Sequence, residues 1–105
     1  MSYQYRAVEK FWRNFYKLRN EQKESVRRAW RTFRRDPFHP SLESHEIHEL
    51  SARAKHTIYA AVVESDLRVI FRIDGPWVTT LDVVNPQNLP RMNAYNFART
   101  NGVIL

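Results

Sequence analysis

The chain contains no cysteine in its 105 residues, which excludes a disulfide framework and any thiolate metal site. That composition suits a reducing compartment, and a cytoplasmic location is the expectation. Long apolar runs are missing as well: none approaches the roughly 18 residues that a membrane span requires. The opening MSYQYRAVEK lacks the apolar core of an export signal. Glycine is scarce, with only Gly75 and Gly102, and both fall where a turn or a helix end is expected. There is no internal repeat and no low-complexity segment. Acidic residues are thin in the first third, where Glu9, Glu21 and Glu24 stand alone.

What is present argues for one folded domain over residues 1–105. Hydrophobic residues make up 43% of the chain, too many for a disordered polymer, and the length supports a single core. The net charge of +6 is placed unevenly. Residues 1–35 hold eleven Lys and Arg against three acids, a local balance of +8, while the remainder sums to −2. Such asymmetry points to a nucleic acid, the ribosome or an acidic protein as partner.

The pattern of apolar residues gives the order of elements. YQYRAV alternates as a short first strand. Val8, Phe11, Trp12, Phe15 and Leu18 then recur at helical spacing, and Val26, Ala29, Trp30 and Phe33 repeat the stripe in a second helix. Asn20 is the expected cap of that second helix, with Lys23 where a capping box would place Glu. Asp36-Pro37 stops it. The outer face of the second helix carries Arg27, Arg28, Arg31, Arg34 and Arg35 with few acids at i±4 to neutralise them, a face suited to phosphates or to an acidic antagonist. Ser41 to Leu50 reads as an irregular edge strand or turn, and SARAKHT, 51–57, as a polar basic connector.

From Ile58 to Val84 three strands follow with turns at Glu64-Ser65-Asp66 and Asp74-Gly75-Pro76. In the middle strand Leu67, Val69, Phe71 and Ile73 alternate with Arg68, Ile70 and Arg72. Arg68 and Arg72 therefore leave one face, opposite the helices, as a pair able to hold phosphate. A final helix is expected from about Leu89-Pro90, carrying Met92, Tyr95 and Phe97 and ending at Asn101-Gly102. The whole reads as an α+β fold: an N-terminal strand and two-helix hairpin packed on an antiparallel β-meander, with a short C-terminal helix. His45-Glu46-Ile47-His48 is not a zinc-protease motif, because its histidines are three apart rather than four, and no metal site is expected.

On these residues the chain resembles the RelE/ParE superfamily of toxin–antitoxin toxins. Phe33-Arg34-Arg35-Asp36-Pro37 with Pro40-Ser41-Leu42 is similar to the end of the family's second helix and the loop after it. His45-Glu46-Ile47 stands where many members have His-Lys-Leu. Tyr59, followed by the run from Asp66 through Arg68 and Arg72 to Gly75, is similar to the family's central hairpin. The phrases span about residues 5 to 84.

The resemblance implies a compact toxin neutralised by a cognate antitoxin, with no cofactor. RelE-like members enter the ribosomal A site and cut mRNA without a metal, whereas ParE-like members inhibit DNA gyrase; a non-toxic nucleic-acid-binding module on the same fold is the third possibility. For RNA cleavage the ribose 2′-hydroxyl attacks its own phosphorus, which needs a base, cations for the phosphorane charge and an acid for the leaving oxygen. The resemblance assigns the cationic role to Arg68, and Arg72, further along the same strand, is placed to share the phosphate. The acid–base partners are less complete: the positions of the family's alternating lysines hold Ala60 and Val62, and the region after the last strand holds no histidine. The remaining candidates are His48, Lys55, His56, Arg91 and Tyr95, with Tyr95 suited to stacking on a base or to proton transfer. Arg53 and Lys55 join the helix arginines as candidate phosphate contacts.

Overall fold

The computed structural model describes residues 2–54 and 56–87. The elements run β1 (Gln4–Ala7), α1 (Glu9–Tyr16), α2 (Asn20–Phe33), a 3-10 turn (Pro40–Leu42), β2 (His45–Glu46), α3 (His48–Ala54), β3 (Ile58–Glu64), β4 (Leu67–Asp74) and β5 (Trp77–Val84). The strands make one sheet in the order β1-β5-β4-β3-β2. β3, β4 and β5 form the expected antiparallel meander, while β1 returns beside β5 in parallel, pairing Gln4 with Trp77 and Ala7 with Thr80. The fold is α+β. The expected C-terminal helix, with Arg91 and Tyr95, lies outside the described residues, as does Lys55.

The helical hairpin forms because its apolar residues recur on one side of each helix and need a surface to cover. Phe11 and Phe15 of α1 and Val26 of α2 are buried together with Leu67, Val69 and Val83. Phe33, at the end of α2, enters a second cluster with Leu42, Ala61, Phe71 and Val78. Phe71 is the centre of that cluster, edge-on to Phe33 at 4.9 Å and stacked on Tyr59 at 5.2 Å. Burying each such side chain contributes roughly 1.5–3 kcal/mol. The cap of α2 falls one residue earlier than Asn20: Arg19 is extended, and the Gln22 side chain accepts from its N–H at 3.1 Å. Gln22 rather than Lys23 fills the position that a capping box uses.

Cross-strand neighbours share a face, so the register sorts the sheet into two sides. Tyr59 and Phe71 are opposite one another, with Thr80 next in the row, and this side meets the helical hairpin. Val62, Arg68 and Val84 form a row on the other side, as do Ala60, Ile70 and Asp82, and then Ile58, Arg72 and Thr79. The pairing jumps between Ile70 and Phe71, leaving Leu81 as an extra residue in β5. This bulge changes the pairing phase of β5, placing Asp82 opposite Ile70, while the Asp82 carboxylate itself meets Asn14 and Lys10 of α1.

Two expectations need correction here. The segment taken as an edge strand and basic connector contains a helix, α3. Its Leu50 and Ala54 belong to the same buried cluster as Ile58, Ala60 and Ile70. Because apolar partners cover it, much of the side opposite the hairpin is closed: Ile58, Ala60, Ile70 and Thr79 are fully buried. Only the predicted edge strand survives in part, as the two residues of β2. At the β4–β5 turn Gly75 has φ +56°, the left-handed conformation that glycine adopts without strain. No helix among the described residues is long and apolar enough to cross a membrane.

Candidate functional site

Arg68 lies at the start of β4, where the chain has just turned, and its guanidinium folds back over that turn. Nη1 donates to the carbonyls of Glu64 (2.5 Å), Leu67 (3.2 Å) and Ser65 (3.3 Å). Three carbonyl dipoles thus hold one nitrogen, while among the described residues Nε and Nη2 have no partner. Among the described residues no carboxylate neutralises the charge. The result is a half-exposed, positioned cation with hydrogen-bond donors to offer, the type of group that receives a phosphate oxygen.

The turn also connects to α2. Ser25 Oγ donates to the Glu64 carboxylate at 3.3 Å and receives a hydrogen bond from Arg28 Nη2 at 3.1 Å. Arg28, Ser25, Thr32, Ser41 and Val62 line one shallow polar hollow beside β3. A basic edge therefore runs from the Arg68 turn to Arg28 on α2.

Arg72 occupies a different environment. Sharing Arg68's side of the strand, it was expected to be open to a ligand, but it is only 7% exposed. Its Nε donates to Asp74 Oδ2 at 2.7 Å. Arg6 Nη2 lies 4.0 Å from the same oxygen and His56 Nδ1 3.8 Å from Oδ1, so three basic groups surround one carboxylate. Arg6 is itself fixed, donating from Nε to Thr79 Oγ1 at 2.8 Å and lying over the Trp77 ring at 4.8 Å. This cluster binds β1 to the far end of the sheet. Arg72 and Arg68 do not converge on a common ligand.

The other expected site residues are separated too. His48 begins α3 and pairs through Nδ1 with Glu46 Oε2 at 3.0 Å. Glu46 is opposite Tyr59, in the row that meets the hairpin, so this pair turns away from Arg68's side. Arg53 is held by Glu49 at 2.6 Å within α3. On α2, Arg27 pairs with Glu24 at 2.5 Å. The side chains of Arg31, Arg34 and Arg35 have no carboxylate or hydrogen-bond partner among the described residues.

Two residues that sequence reasoning passed over also bear on the site. His45 pairs with Ala60 in β2, which puts it on Arg68's side at the sheet edge, one row away. Asp82 lies in that same row, buried, accepting from Asn14 Nδ2 at 2.6 Å and facing Lys10 Nζ at 3.4 Å. The first is visible as a histidine in a short edge segment. The second depends on the Leu81 bulge, which no local pattern announces.

No protein-family model and no curated protein matches this chain. Solved structures do. RelE in the archaeal RelE–RelB complex from Pyrococcus horikoshii superposes with a TM-score of 0.62 at 12% identity, covering 81% of this chain and 96% of that one. YafQ from E. coli gives 0.65 at 11% identity, covering 84% and 98%. The E. coli DinJ–YafQ complex gives 0.58 at 11% identity over the same shares. At these identities the likeness is one of fold. The chain has the RelE-like toxin fold, with three helices and a five-stranded mixed sheet among the described residues.

Proposed function

We propose that this chain is the toxin of a toxin–antitoxin pair and acts as a ribosome-dependent, metal-independent mRNA endonuclease that blocks translation. The fold supports the toxin part, because the solved structures it resembles are RelE and YafQ, two of them in complexes with RelB or DinJ. The observation that carries the chemical part is Arg68, held by backbone carbonyls and facing no carboxylate. In the proposed reaction the 2′-hydroxyl attacks the adjacent phosphorus, a cyclic phosphate forms and the 5′-oxygen leaves. Arg68 stabilises the charge that accumulates on the non-bridging oxygens. Arg28 and Arg35 hold the backbone that approaches along the basic edge. His45, on Arg68's side, joins Tyr95 and Arg91 as candidates for moving the two protons.

A second reading, gyrase inhibition in the manner of ParE-like toxins, is favoured by the apolar pair Ala60 and Val62. They stand on Arg68's side where the family's RNA-cutting members carry lysines, and Ala60 is fully buried. Induced expression with pulse labelling of RNA, DNA and protein synthesis separates the two. Loss of protein synthesis with mRNA cut at codon boundaries, both abolished by Arg68→Ala, is the expected outcome. Intact mRNA with inhibited supercoiling would replace the endonuclease with the gyrase reading, and cleavage by Arg68→Ala at the wild-type rate would remove the role given to Arg68.

A further inference from the structure

The carbonyl cage around Arg68 has a support that lies outside the strand. Its shortest contact is to the Glu64 carbonyl, at the end of β3. There the ladder is irregular: the pairing shifts between Val62, opposite Arg68, and Glu64, opposite Leu67, and passes over Val63. Such an irregularity loosens the local hold of one strand on the other. Leu67 is fixed by burial in the core, but Ser65 and Asp66 are exposed. The position of the Glu64 carbonyl therefore depends on what the Glu64 side chain holds. Among the described residues that is one group, Ser25 Oγ of α2, at 3.3 Å.

Ser25 has one hydroxyl hydrogen and two acceptors in reach. One is the Glu21 carbonyl at 3.1 Å, a turn back in its own helix; the other is the Glu64 carboxylate. The Glu21 carbonyl already takes the Ser25 backbone N–H in the i→i−4 pattern of α2, so the hydroxyl adds little there. Donation to Glu64 is charge-assisted, and it crosses from the helical layer to the sheet. Arg28 donates from Nη2 into the same hydroxyl oxygen at 3.1 Å, which turns the hydroxyl hydrogen away from Arg28. The order is then guanidinium, hydroxyl, carboxylate, each polarising the next. We propose that Ser25 is a positioning residue for Arg68: it pins the Glu64 turn to α2, and through the Glu64 carbonyl it fixes where the Arg68 guanidinium stands. The proposal rests on the endonuclease reading for the purpose of that placement, not for the placement itself. Displacing a group that acts on the reacting atoms by about 1 Å can cost roughly a hundredfold in rate, so a serine that never touches RNA acquires a hold on the chemistry.

The test compares Ser25→Ala with Ser25→Thr, which keeps a hydroxyl, in the purified full chain labelled with ¹⁵N. The first readout is the Arg68 guanidinium itself, its resonances assigned with an Arg68→Lys sample. Held through Nη1, it should show distinct, slowly exchanging Nη signals in the wild type. Ser25→Ala should speed guanidinium rotation so that these signals merge at a lower temperature, while the buried Arg72 of the same strand keeps its own pattern. Ser25→Thr should restore slow rotation. The second readout is ribosome-dependent mRNA cleavage, where Ser25→Ala should lower kcat by about tenfold or more and leave KM in place, with Ser25→Thr recovering most of the loss. Urea midpoints should match across the three chains. Arg68 signals unchanged in Ser25→Ala would overturn the proposal, and so would an unchanged kcat in a chain that cuts mRNA. Arg68 and Arg72 loosening together with a lower urea midpoint would overturn it too, making Ser25 a general brace. A loss confined to KM would instead assign Ser25 to substrate binding beside Arg28, and the proposal would fall. If the wild-type chain cut no mRNA, the endonuclease reading alone would fail, because the Arg68 signals decide the role of Ser25 without it.

Discussion

Arg68 and Arg72 share a strand and a side, four residues apart, yet one is a cation held ready and the other a strut. The difference is set by their acceptors. Carbonyl oxygens position Arg68 without cancelling its charge, and it remains half exposed. Arg72 meets the Asp74 carboxylate, with Arg6 and His56 on the same acid, in a place where solvent hardly reaches. Burying a guanidinium is costly unless it is paired and hydrogen-bonded. The Asp74 end of the sheet is therefore built for holding the fold together, whereas the Arg68 end keeps its charge uncompensated among the described residues.

The strand between the two ends gives the largest expected effect. Phe71→Ala removes the ring at the centre of the aromatic cluster and should cost about 4 kcal/mol in urea unfolding, with both ends of the sheet loosened. Asp74→Ala should cost about 2 kcal/mol, because it leaves the buried Arg72 without its short ion pair. An Arg72→Met change on that background should restore part of the loss, since an apolar side chain tolerates the site. At the other end, Arg68→Ala should change stability by less than about 1 kcal/mol, the size of ordinary exposed hydrogen bonds, while growth arrest disappears. Equal destabilisation by Arg68→Ala and Asp74→Ala would erase the distinction between the two ends.

The smallest effect concerns β1, which the Asp74 cluster ties down. Tyr5 donates from its hydroxyl to the Phe33 carbonyl at 2.8 Å, and burial, with Tyr3 and Asp36 adding to it against Arg34, pushes its pKa up from 10.0 to about 12. Below the unfolded value both states keep the proton, so no pH dependence arises there. Between that value and about 12 the unfolded chain releases a proton that the native one retains. Stability should therefore fall as pH rises through this window. Tyr5→Phe should remove that part of the alkaline slope, read from urea midpoints on either side of the window.

These contrasts also show where a linear pattern stops being informative. The helical hairpin and the meander follow from periods of 3.6 and 2, and the turn at Gly75 from its composition. The period of two correctly assigned Arg68, Ile70 and Arg72 to the side away from the hairpin. It says nothing about what covers that side, and α3 escaped notice because HELSARA carries only Leu50 and Ala54 as an apolar pair, too few to establish a period. The phase of β5 was legible only up to Leu81, where the pairing register jumps. Arg68 was legible as a candidate because a turn and a resemblance marked it.

The pairing of β1 with β5 has a consequence for synthesis. Gln4 and Ala7 find their neighbours only when Trp77 to Thr80 are available, a separation that makes sheet closure non-local and slow relative to the hairpins. While the ribosome is still adding β4 and β5, the helical hairpin is out of the tunnel with Phe11, Phe15 and Phe33 lacking the surface they later cover. A chain of this kind completes the Arg68 turn and its closing strand almost together, so a nascent copy has no finished sheet. It is then at its most adhesive toward any protein that can shield aromatic surface.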